Sequence, residues 1–283
     1  MTNDKKNIEV IVLAAGKGTR MKSALPKVLY QFNGRSLIER TLRSVSALNP
    51  ELVTVVVGYK HNLVEAEVQR VSSILGISSK CVLQEPQLGT GHAVQVAFSD
   101  GIPLNSNSEI SSETKVLIVP GDTPLLDSAT LSSALDCLDS SDLCLVTTLL
   151  DNPTGFGRVF TSTNNHVDKI VEEKDCSPEQ RLEKRINSSI YVTYKHLLTS
   201  NIHNLSNNNA QREYYLTDIV SNYVSKGLKV VYNNVSDSLL VSGANSIPEF
   251  YKIYESYAER IVTKFMLEGV TFENPSSVVI EDS

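Results

Sequence analysis

The stretch AAGKGTRMKSALPK (14–27) follows an apolar run near the N-terminus and combines glycines with cations. Gly16 and Gly18 leave their backbone N–H groups open to close approach by an anion, and the cations are Lys17, Arg20, Lys22 and Lys27. Backbone N–H groups and cations together are typical of a loop that holds phosphate. The glycines alone favour an ordinary turn beside a solvated basic face, so the prediction of a phosphate loop depends on the combination.

Two common phosphate motifs do not fit this loop. A P-loop requires GxxxxGK[ST], and the second half of that pattern is missing after Gly16. A dinucleotide fingerprint requires GxGxxG, and Met21 stands where the third glycine would be. We therefore expect a glycine turn to which Arg20 and Lys27 bring positive charge from a longer loop.

Two further polar side chains stand where predicted strands end. Asp122 follows the apolar run 115–119, and a carboxylate there can coordinate a Mg²⁺ ion bound to a triphosphate. The alternative is an aspartate that caps a turn. Gln84 ends another predicted strand, and its amide, with the Gly89-Thr90 turn, can recognise the edge of a nucleobase. The alternative for Gln84 is an ordinary surface amide.

The predicted elements of the first half alternate between strand and helix. Strands are expected at 8–15, 52–57, 80–84, 115–119 and 143–149, and helices at 36–48, 61–75, 91–98 and 127–138. Ser36 and Glu39 fit a capping box at the start of the first helix. The alternation favours an α/β fold with a mostly parallel, Rossmann-like sheet and helices on both faces. Ligands of such sheets bind beyond the carboxyl ends of the strands.

The second half is more mixed. Its predicted elements are a hairpin of 157–161 with 167–172, strands at 186–193 and 229–233, and a helix at 215–225. A long amphipathic helix is expected at 247–267, with Pro248 in its first turn. The polar segment 101–113 is expected to be a loop.

The composition narrows the class of protein. The 283 residues are 41% hydrophobic and 20% charged, which is ordinary for a globular chain. The net charge of −6 argues against a nucleic-acid binder, and no run approaches the ~20 apolar residues of a membrane helix. The four cysteines lack metal-site spacing, and the N-terminus lacks a signal-peptide pattern. We expect a soluble, cytoplasmic protein with no nucleic-acid or membrane partner; the oligomeric state is left open.

Six later segments, together with the phosphate loop, resemble the N-acetylglucosamine-1-phosphate uridyltransferases, a family of nucleotidyltransferases. The resemblance runs from Val10 to about Asn274 and is to the N-terminal pyrophosphorylase domain of the bifunctional enzymes that make UDP-N-acetylglucosamine. It implies a fold of nucleotide-diphospho-sugar transferase type with a smaller, mixed sugar-binding region. The segments are LQEPQLGTGHAVQVA (83–97), VPGDTPLL (119–126), TGFGRV (154–159), IVEEKD (170–175), RIN (185–187) and NNNAQREYYLTDIV (207–220).

The resemblance implies a role for each matching position. Arg20 and Lys27 would be catalytic by neutralising charge on a triphosphate, and Asp122 with Asn245 would hold Mg²⁺. Uracil would lie against Gln84, Gly89 and Thr90. The sugar would lie against Gly157, Glu172 and Asn187, with Thr217 nearby. The full implied substrate-binding set is Leu13, Ala14, Ala15, Gly16, Lys27, Gln84, Gly89, Thr90, Gly121, Gly157, Glu172, Asn187 and Asn245.

The implied reaction joins UTP to N-acetylglucosamine 1-phosphate and gives UDP-N-acetylglucosamine, a cell-wall precursor, and pyrophosphate. It would proceed by direct, Mg²⁺-assisted attack on the α-phosphorus. Two alternatives stay open. One is a related nucleotidyltransferase that uses another sugar phosphate or base, and the other is a catalytically silent module that only binds sugar nucleotides.

The chain departs from the family's common pattern at three places. Pro120 precedes Gly121-Asp122, Ser188-Ser189 replaces a common Thr-Gly, and Arg212 replaces a common glycine. By resemblance, the nucleotidyltransferase domain comprises 1–245 and the long helix 246–268. Residues 269–283 resemble the entrance to a left-handed β-helix, the rest of which is absent from the sequence.

Overall fold

The structure, a computed structural model, describes residues 7–101, 113–163 and 165–281. These ranges contain eleven strands, nine of which form one sheet. The strands are β1 (Ile8–Ala14), β2 (Gln31–Phe32), β3 (Arg35–Ser36), β4 (Leu52–Val57), β5 (Ser79–Leu83), β6 (Lys115–Pro120), β7 (Leu143–Leu149), β8 (Arg158–Thr161), β9 (Val167–Val171), β10 (Arg185–Tyr194) and β11 (Val230–Asn234).

The main path of the sheet has the order β11-β7-β10-β6-β1-β4-β5. Strand β1 pairs in parallel with β4 and β6, β4 pairs in parallel with β5, and β7 pairs in parallel with β11. Strand β10 runs antiparallel to both β6 and β7. Strands β8 and β9 form the expected hairpin, which joins the sheet through β10. The mostly parallel sheet predicted from the sequence is therefore confirmed, with one antiparallel strand in its interior.

Helices cover both faces of this sheet, as expected. The apolar run of β1 alternates between them: Val10 and Val12 belong to one core cluster with Ile38, and Ile11 belongs to another with Val94. The helices in the described ranges are α1 (Leu37–Ser46), α2 (His61–Leu75), α3 (Thr90–Val96), α4 (Ser128–Cys137), α5 (Lys195–Ile202), α6 (Asp218–Ser225) and α7 (Ile247–Leu267). None of them is both long and apolar enough to span a membrane.

The predicted helix starts are borne out at α1, α2 and α7 and wrong at α6. Ser36 caps α1, since its Oγ accepts a hydrogen bond of 3.1 Å from the N–H of Glu39. Helix α7 begins at Ile247 with Pro248 in its first turn. Helix α6 begins at Asp218 rather than at residue 215. The N–H of Leu216 donates to the hydroxyl of Thr90 (3.1 Å), which holds the preceding residues outside the helix.

Two small elements were not predicted from the sequence. Helix α5 follows β10 directly. Strands β2 and β3 form a hairpin across Asn33 and Gly34, whose φ angles of 50° and 80° are those of a two-residue turn that Asn-Gly favours. The loop expected at 101–113 lies, except at its ends, outside the described residues.

The long helix α7 packs on this hairpin through aromatic rings. The ring of Phe32 lies edge-on to those of Phe250 and Tyr254, with centroids 5.7 Å and 5.4 Å away. Such edge-to-face pairs are worth about 0.5–1.5 kcal/mol beyond the area that they bury. The packing fixes the first half of α7, and with it the segment that leads into the helix.

Candidate active site

One cleft lies at the carboxyl ends of the parallel strands, where the sequence predicted that ligands bind. Its volume is about 500 Å³, within the range usual for small-molecule sites. The cleft is lined by most of the expected site residues: Leu13, Ala14, Ala15, Gly16, Arg20, Lys27, Gln84, Gly89, Thr90, Asp122, Gly157, Glu172, Asn187 and Asn245. Gly121 is set behind them, where its N–H donates to the carbonyl of Leu13 (2.9 Å).

The glycine loop after β1 folds against Lys27. Gly18 has a φ of 60°, and a Cβ there would lie only 2.9 Å from the Cβ of Lys27, so glycine is required. A Cβ on Gly16 would have nothing within 4 Å, so its backbone borders open space. Arg20 is exposed at the cleft and has no ion-pair partner among the described residues. The loop thus presents an unpaired guanidinium and an accessible backbone.

The side chains of Lys27, Asp122 and Asn245 meet at the centre of the cleft. The Lys27 ammonium donates to the Asp122 carboxylate and, over 3.2 Å, to Oδ1 of Asn245. The N–H of Ala244 donates to the Asp122 carbonyl (3.1 Å), which brings the loop before α7 onto the end of β6. Gly243 allows this approach, because a Cβ there would lie 3.3 Å from the carboxylate.

The side chain of Asn245 does not cap the helix that follows it. Ser246 caps α7, since its Oγ accepts from the N–H of Glu249. Helix α4, which follows Asp122, is capped by Asp127, whose Oδ1 accepts a 2.8 Å bond from the N–H of Thr130. The side chains of Asp122 and Asn245 therefore remain directed at Lys27 rather than at helix ends.

The oxygens of Asp122 and Asn245 fit a magnesium ion that arrives with a phosphate ligand. Magnesium prefers oxygen and is usually held by one or two carboxylates plus substrate phosphates. The Lys27 ammonium already occupies a cation position between these two oxygens. Within the described ranges, no cluster of three or more His, Cys, Asp or Glu side chains could hold a metal without such a ligand.

Gln84 is fixed at one wall of the cleft. It is only 4% exposed, so its interpretation as an ordinary surface amide is wrong. Its Nε2 donates to the carbonyl of Gly89 (2.9 Å) and lies 3.2 Å from Nδ1 of His92. The amide of Gln84 and the turn at Gly89 and Thr90 therefore form one hydrogen-bonded unit, as their proposed shared role requires.

Two hydrogen bonds from Tyr214 hold the turn at Gly89 and Thr90. The N–H of Tyr214 donates to the carbonyl of Leu88, and the carbonyl of Tyr214 accepts from the N–H of Gly91, both over 2.8 Å. A Cβ on Gly89 would lie 2.6 Å from the Tyr214 carbonyl, so the close approach requires glycine. These hydrogen bonds explain why the NNNAQREYYLTDIV segment lies at the site although it is far away in sequence.

Glu172 and Gly157 form the opposite wall. A Cβ on Gly157 would lie 3.5 Å from the Glu172 carboxylate, whose Oε1 accepts from the hydroxyl of Thr217 (3.0 Å). Burial raises the pKa of the Glu172 carboxyl, and the bond from Thr217 offsets only part of this effect. The nearby carboxylates of Asp218 and Asp175 raise this pKa further. The wall offers oriented acceptors to hydroxyl and amide groups.

Asn187 lies where β10 departs from regular pairing. The register with β7 shifts between Asn187 and Tyr191, as in a β-bulge, which re-aims side chains. The amide of Asn187 donates to the hydroxyl of Tyr191 (2.6 Å) and accepts from the N–H of Ser189 (3.1 Å). Ser189 has a φ of 64°, a conformation that favours glycine.

Sequence reasoning missed two supports of the cleft. Gln87 donates to the carbonyl of Ala15 (2.7 Å) and so fixes the glycine loop. The buried Arg158 donates to the Phe156 carbonyl and pairs with Glu173 (2.7 Å), which joins the two loops of the Gly157–Glu172 wall. The signal for Arg158 was present in TGFGRV, as an arginine inside an otherwise strand-like segment.

Comparison with known proteins gives a consistent result. A family model described as the MobA-like NTP transferase domain matches residues 10–178. A protein of Mycobacterium sp. (strain KMS) named "Bifunctional protein GlmU" is 35% identical over 280 residues, which are 99% of this chain and 55% of the relative. A protein of the same name from Trichormus variabilis is 39% identical over 278 residues, covering 98% and 58%. The chain thus spans a little over half the length of these relatives.

Solved structures show the same fold at lower identity. The inositol-1-phosphate CTP transferase of T. maritima superposes with a TM-score of 0.64 at 20% identity, covering 87% of this chain and 94% of that one. A UDP-glucose pyrophosphorylase in complex with UDP-glucose gives a TM-score of 0.65 at 14% identity, covering 89% and 98%. The predicted nucleotide-sugar transferase type of fold is therefore confirmed.

Proposed function

The chain belongs to the family of MobA-like NTP transferase domains, and we propose that it transfers a uridylyl group from UTP to N-acetylglucosamine 1-phosphate. The products are UDP-N-acetylglucosamine and pyrophosphate. In this proposal the catalytic unit comprises 1–245, followed by the long helix 246–268 and the tail 269–283.

The observation that carries the proposal is the order of groups along one cleft. Along the edge of the sheet, Gln84 follows β5, the loop with Arg20 and Lys27 follows β1, and Glu172 follows β9, which joins the sheet beyond β6 through β8 and β10. A base, a chain of phosphates and a sugar follow one another in this order in a nucleoside diphosphate sugar. The names of the relatives favour this product, because both are bifunctional GlmU proteins.

The reaction is a direct displacement at phosphorus. A phosphate oxygen of N-acetylglucosamine 1-phosphate attacks the α-phosphorus of UTP and forms a new P–O bond. The bond from the α-phosphorus to the oxygen that it shares with the β-phosphorus breaks, and pyrophosphate leaves with that electron pair. Such chemistry depends on positioning and charge stabilisation rather than on a protein nucleophile.

The chain's own groups supply both requirements. Arg20 has no ion-pair partner among the described residues, so its guanidinium can bind triphosphate oxygens without first breaking another pair. Lys27 holds a second positive charge at the centre of the cleft. Asp122 and Asn245 would hold Mg²⁺, and the ion would neutralise charge on the phosphates. The Gln84 amide would fix the uracil ring.

The Gly157–Glu172 wall determines which sugar phosphate is preferred in this proposal. Its polar groups, on Glu172, Asn187 and Thr217, are oriented by bonds to their neighbours. A site built to hydrogen-bond a substrate group rejects analogues that lack it, because its buried polar groups are then left unpaired. We therefore expect N-acetylglucosamine 1-phosphate to be preferred over glucosamine 1-phosphate and glucose 1-phosphate.

A pyrophosphate-release assay tests the proposal. The purified chain is supplied with UTP, Mg²⁺ and each of the three sugar phosphates in turn, and kcat/KM is compared. An equal or higher kcat/KM with glucose 1-phosphate would favour a related nucleotidyltransferase that uses another sugar phosphate. Absence of release with every acceptor would support a silent binding module, an alternative that the assembled Arg20, Lys27, Asp122 and Asn245 argue against.

A further inference from the structure

The side chain of Gln84 has two chemically different ends, and its neighbours decide which of them faces the cleft. The carbonyl of Gly89, 2.9 Å away, can only accept a hydrogen bond, so it favours the NH₂ end of the amide. The same nitrogen lies 3.2 Å from Nδ1 of His92. An amide nitrogen has two hydrogens, so it can satisfy both neighbours if Nδ1 is an acceptor.

The surroundings of His92 favour that state. The imidazole is half-buried beside the ring of Tyr214, at 6.3 Å between centroids. Burial lowers its pKa, against a smaller opposite effect of the Pro86 backbone, so the ring is neutral at pH 7. A neutral ring carries its hydrogen on one nitrogen only, and the Gln84 nitrogen beside Nδ1 has only hydrogens to offer. With the ring hydrogen on Nε2, Nδ1 is the acceptor that this contact needs.

With both NH₂ hydrogens engaged, Oε1 is the free end of the Gln84 amide. Among the described residues it has no hydrogen-bond partner, and Gln84 lines the cleft. Reversal of the amide would set Oε1 against the carbonyl of Gly89 and the lone pair of His92, which are two acceptor–acceptor contacts. The two neighbours together therefore fix an acceptor at this point of the cleft.

We propose that His92 is a specificity-determining positioning residue, which holds the Gln84 amide with Oε1 toward the base and so selects a ring N–H over a ring nitrogen acceptor. The inference rests on the proposed function, in which Gln84 faces the base. Uracil carries an N–H at N3, whereas cytosine carries a lone pair there. The bound UTP would thus satisfy Oε1, and CTP would oppose it.

The test replaces His92 with leucine, which keeps apolar volume and removes the acceptor. The Gln84 amide can then rotate and donate to cytosine, since only Gly89 opposes rotation. We expect the ratio of kcat/KM for UTP to that for CTP to fall at least tenfold, while KM for the sugar phosphate changes less than twofold. His92→Asn, whose Oδ1 can stand near the place of Nδ1, is expected to recover most of the ratio.

A merely structural role gives a different result. If His92 only supported the turn, His92→Leu would lower the rates with UTP and CTP by the same factor, and the proposal would be overturned. Equal use of UTP and CTP by the unaltered chain would also overturn it. The ratio is measured with whichever sugar phosphate the chain accepts, so a wrong acceptor sugar sinks the proposed function without affecting this test.

A measurement on the unaltered protein covers the case in which the leucine variant does not fold. ¹⁵N-labelled histidine spectra at pH 7 are expected to show His92 neutral, with its hydrogen on Nε2 and Nδ1 as the acceptor. A hydrogen on Nδ1 would require Gln84 to accept from His92, and the proposal would be wrong.

Discussion

The ammonium of Lys27 lies directly against the carboxylate of Asp122, although 95 positions separate the two residues. The same ammonium reaches Asn245 over 3.2 Å. A cation of the protein therefore lies between the two oxygens that we propose as magnesium ligands. Phosphates that attract Lys27 would free the oxygens of Asp122 and Asn245, so metal and nucleotide are expected to bind together.

Replacement of Lys27 by methionine separates its effect on turnover from its effect on metal binding. Turnover should fall by about 10²–10³, the usual loss for one charge-stabilising contact. Binding of Mn²⁺ to the nucleotide-free protein should become tighter, because the competing ammonium is gone. Electron paramagnetic resonance of free Mn²⁺ measures the second effect. Lys22→Met, on the same loop but outside the cleft lining, is the control, and unchanged Mn²⁺ affinity in Lys27→Met would show that Lys27 does not compete.

Asp122→Asn should abolish most activity while the protein keeps its stability. The substitution preserves shape and removes the charge that faces Lys27 and the metal. Ser246→Ala, one residue beyond Asn245, should behave oppositely: it removes the cap of α7 at a cost of about 1 kcal/mol and leaves turnover near normal. Turnover and urea unfolding of both variants decide the matter. Loss of stability without loss of turnover in Asp122→Asn would refute its role at the metal.

Glu172→Gln should stabilise the protein at neutral pH and weaken sugar binding. Burial raises the folded-state pKa of this carboxyl above its ordinary value of 4.5. The folded state then binds more protons than the unfolded state between the two pKa values, and stability falls as the pH rises through this window. The advantage of the variant in urea unfolding should therefore grow as the pH rises above 4.5.

The neighbouring Glu173 is a control of opposite sign. Burial raises the pKa of its carboxyl, but the hydrogen bonds from Arg158 and the Gly155 N–H and the charges of Arg158 and Arg181 together outweigh this effect, so the pKa is lowered. Glu173→Gln should thus lose stability at neutral pH.

KM for the sugar phosphate in Glu172→Gln should rise about tenfold, as for the loss of one charge-assisted bond. An unchanged KM would remove Glu172 from the sugar site.

Arg212→Gly should raise the free energy of unfolding by about 1 kcal/mol. Arg212 has a φ of 54°, and a left-handed conformation costs about that much for a residue with a side chain. Glycine adopts this conformation without that cost. The comparison variant is Arg181→Gly, at an exposed position outside the left-handed region, which should not be stabilised. Equal unfolding midpoints for Arg212→Gly and the unaltered chain would contradict the argument.

The sequence predicted the elements whose apolar pattern is continuous. Leu52–Val57 and Leu143–Leu149 were predicted with their observed bounds, since a buried β-branched run between polar turns has few other solutions. The direction of β10 was not predictable from residues 186–193, because a strand buried between two others has the same composition whether it runs parallel or antiparallel. The Asn33-Gly34 dipeptide is a local hairpin signal, so the hairpin of β2 and β3 was predictable from the sequence.

The candidate site was predictable only where one motif carried it. Gly16, Arg20 and Lys27 lie in a single recognisable loop, whereas Asn245 has no local signal that connects it with Asp122. Their meeting depends on the hydrogen bond from Ala244 to Asp122 and on the seating of α7 against Phe32. The roles of Gln87 and Arg158 were not predicted either. Gln87 binds the glycine loop at Ala15, which is distant in sequence, and the buried Arg158 joins two loops of the wall through Phe156 and Glu173.

The separation of Asp122 and Asn245 in the sequence also determines when the centre of the cleft can form during protein synthesis. They stand 123 positions apart, so at about 5–20 residues per second a ribosome needs roughly 6–25 s to make the stretch between them. During that interval Lys27 and Asp122 have been synthesised, but Asn245, whose Oδ1 is the second acceptor for the Lys27 ammonium, has not. A nascent chain therefore has no complete centre of its cleft until residue 245 has been made, and gains it only as α7 emerges.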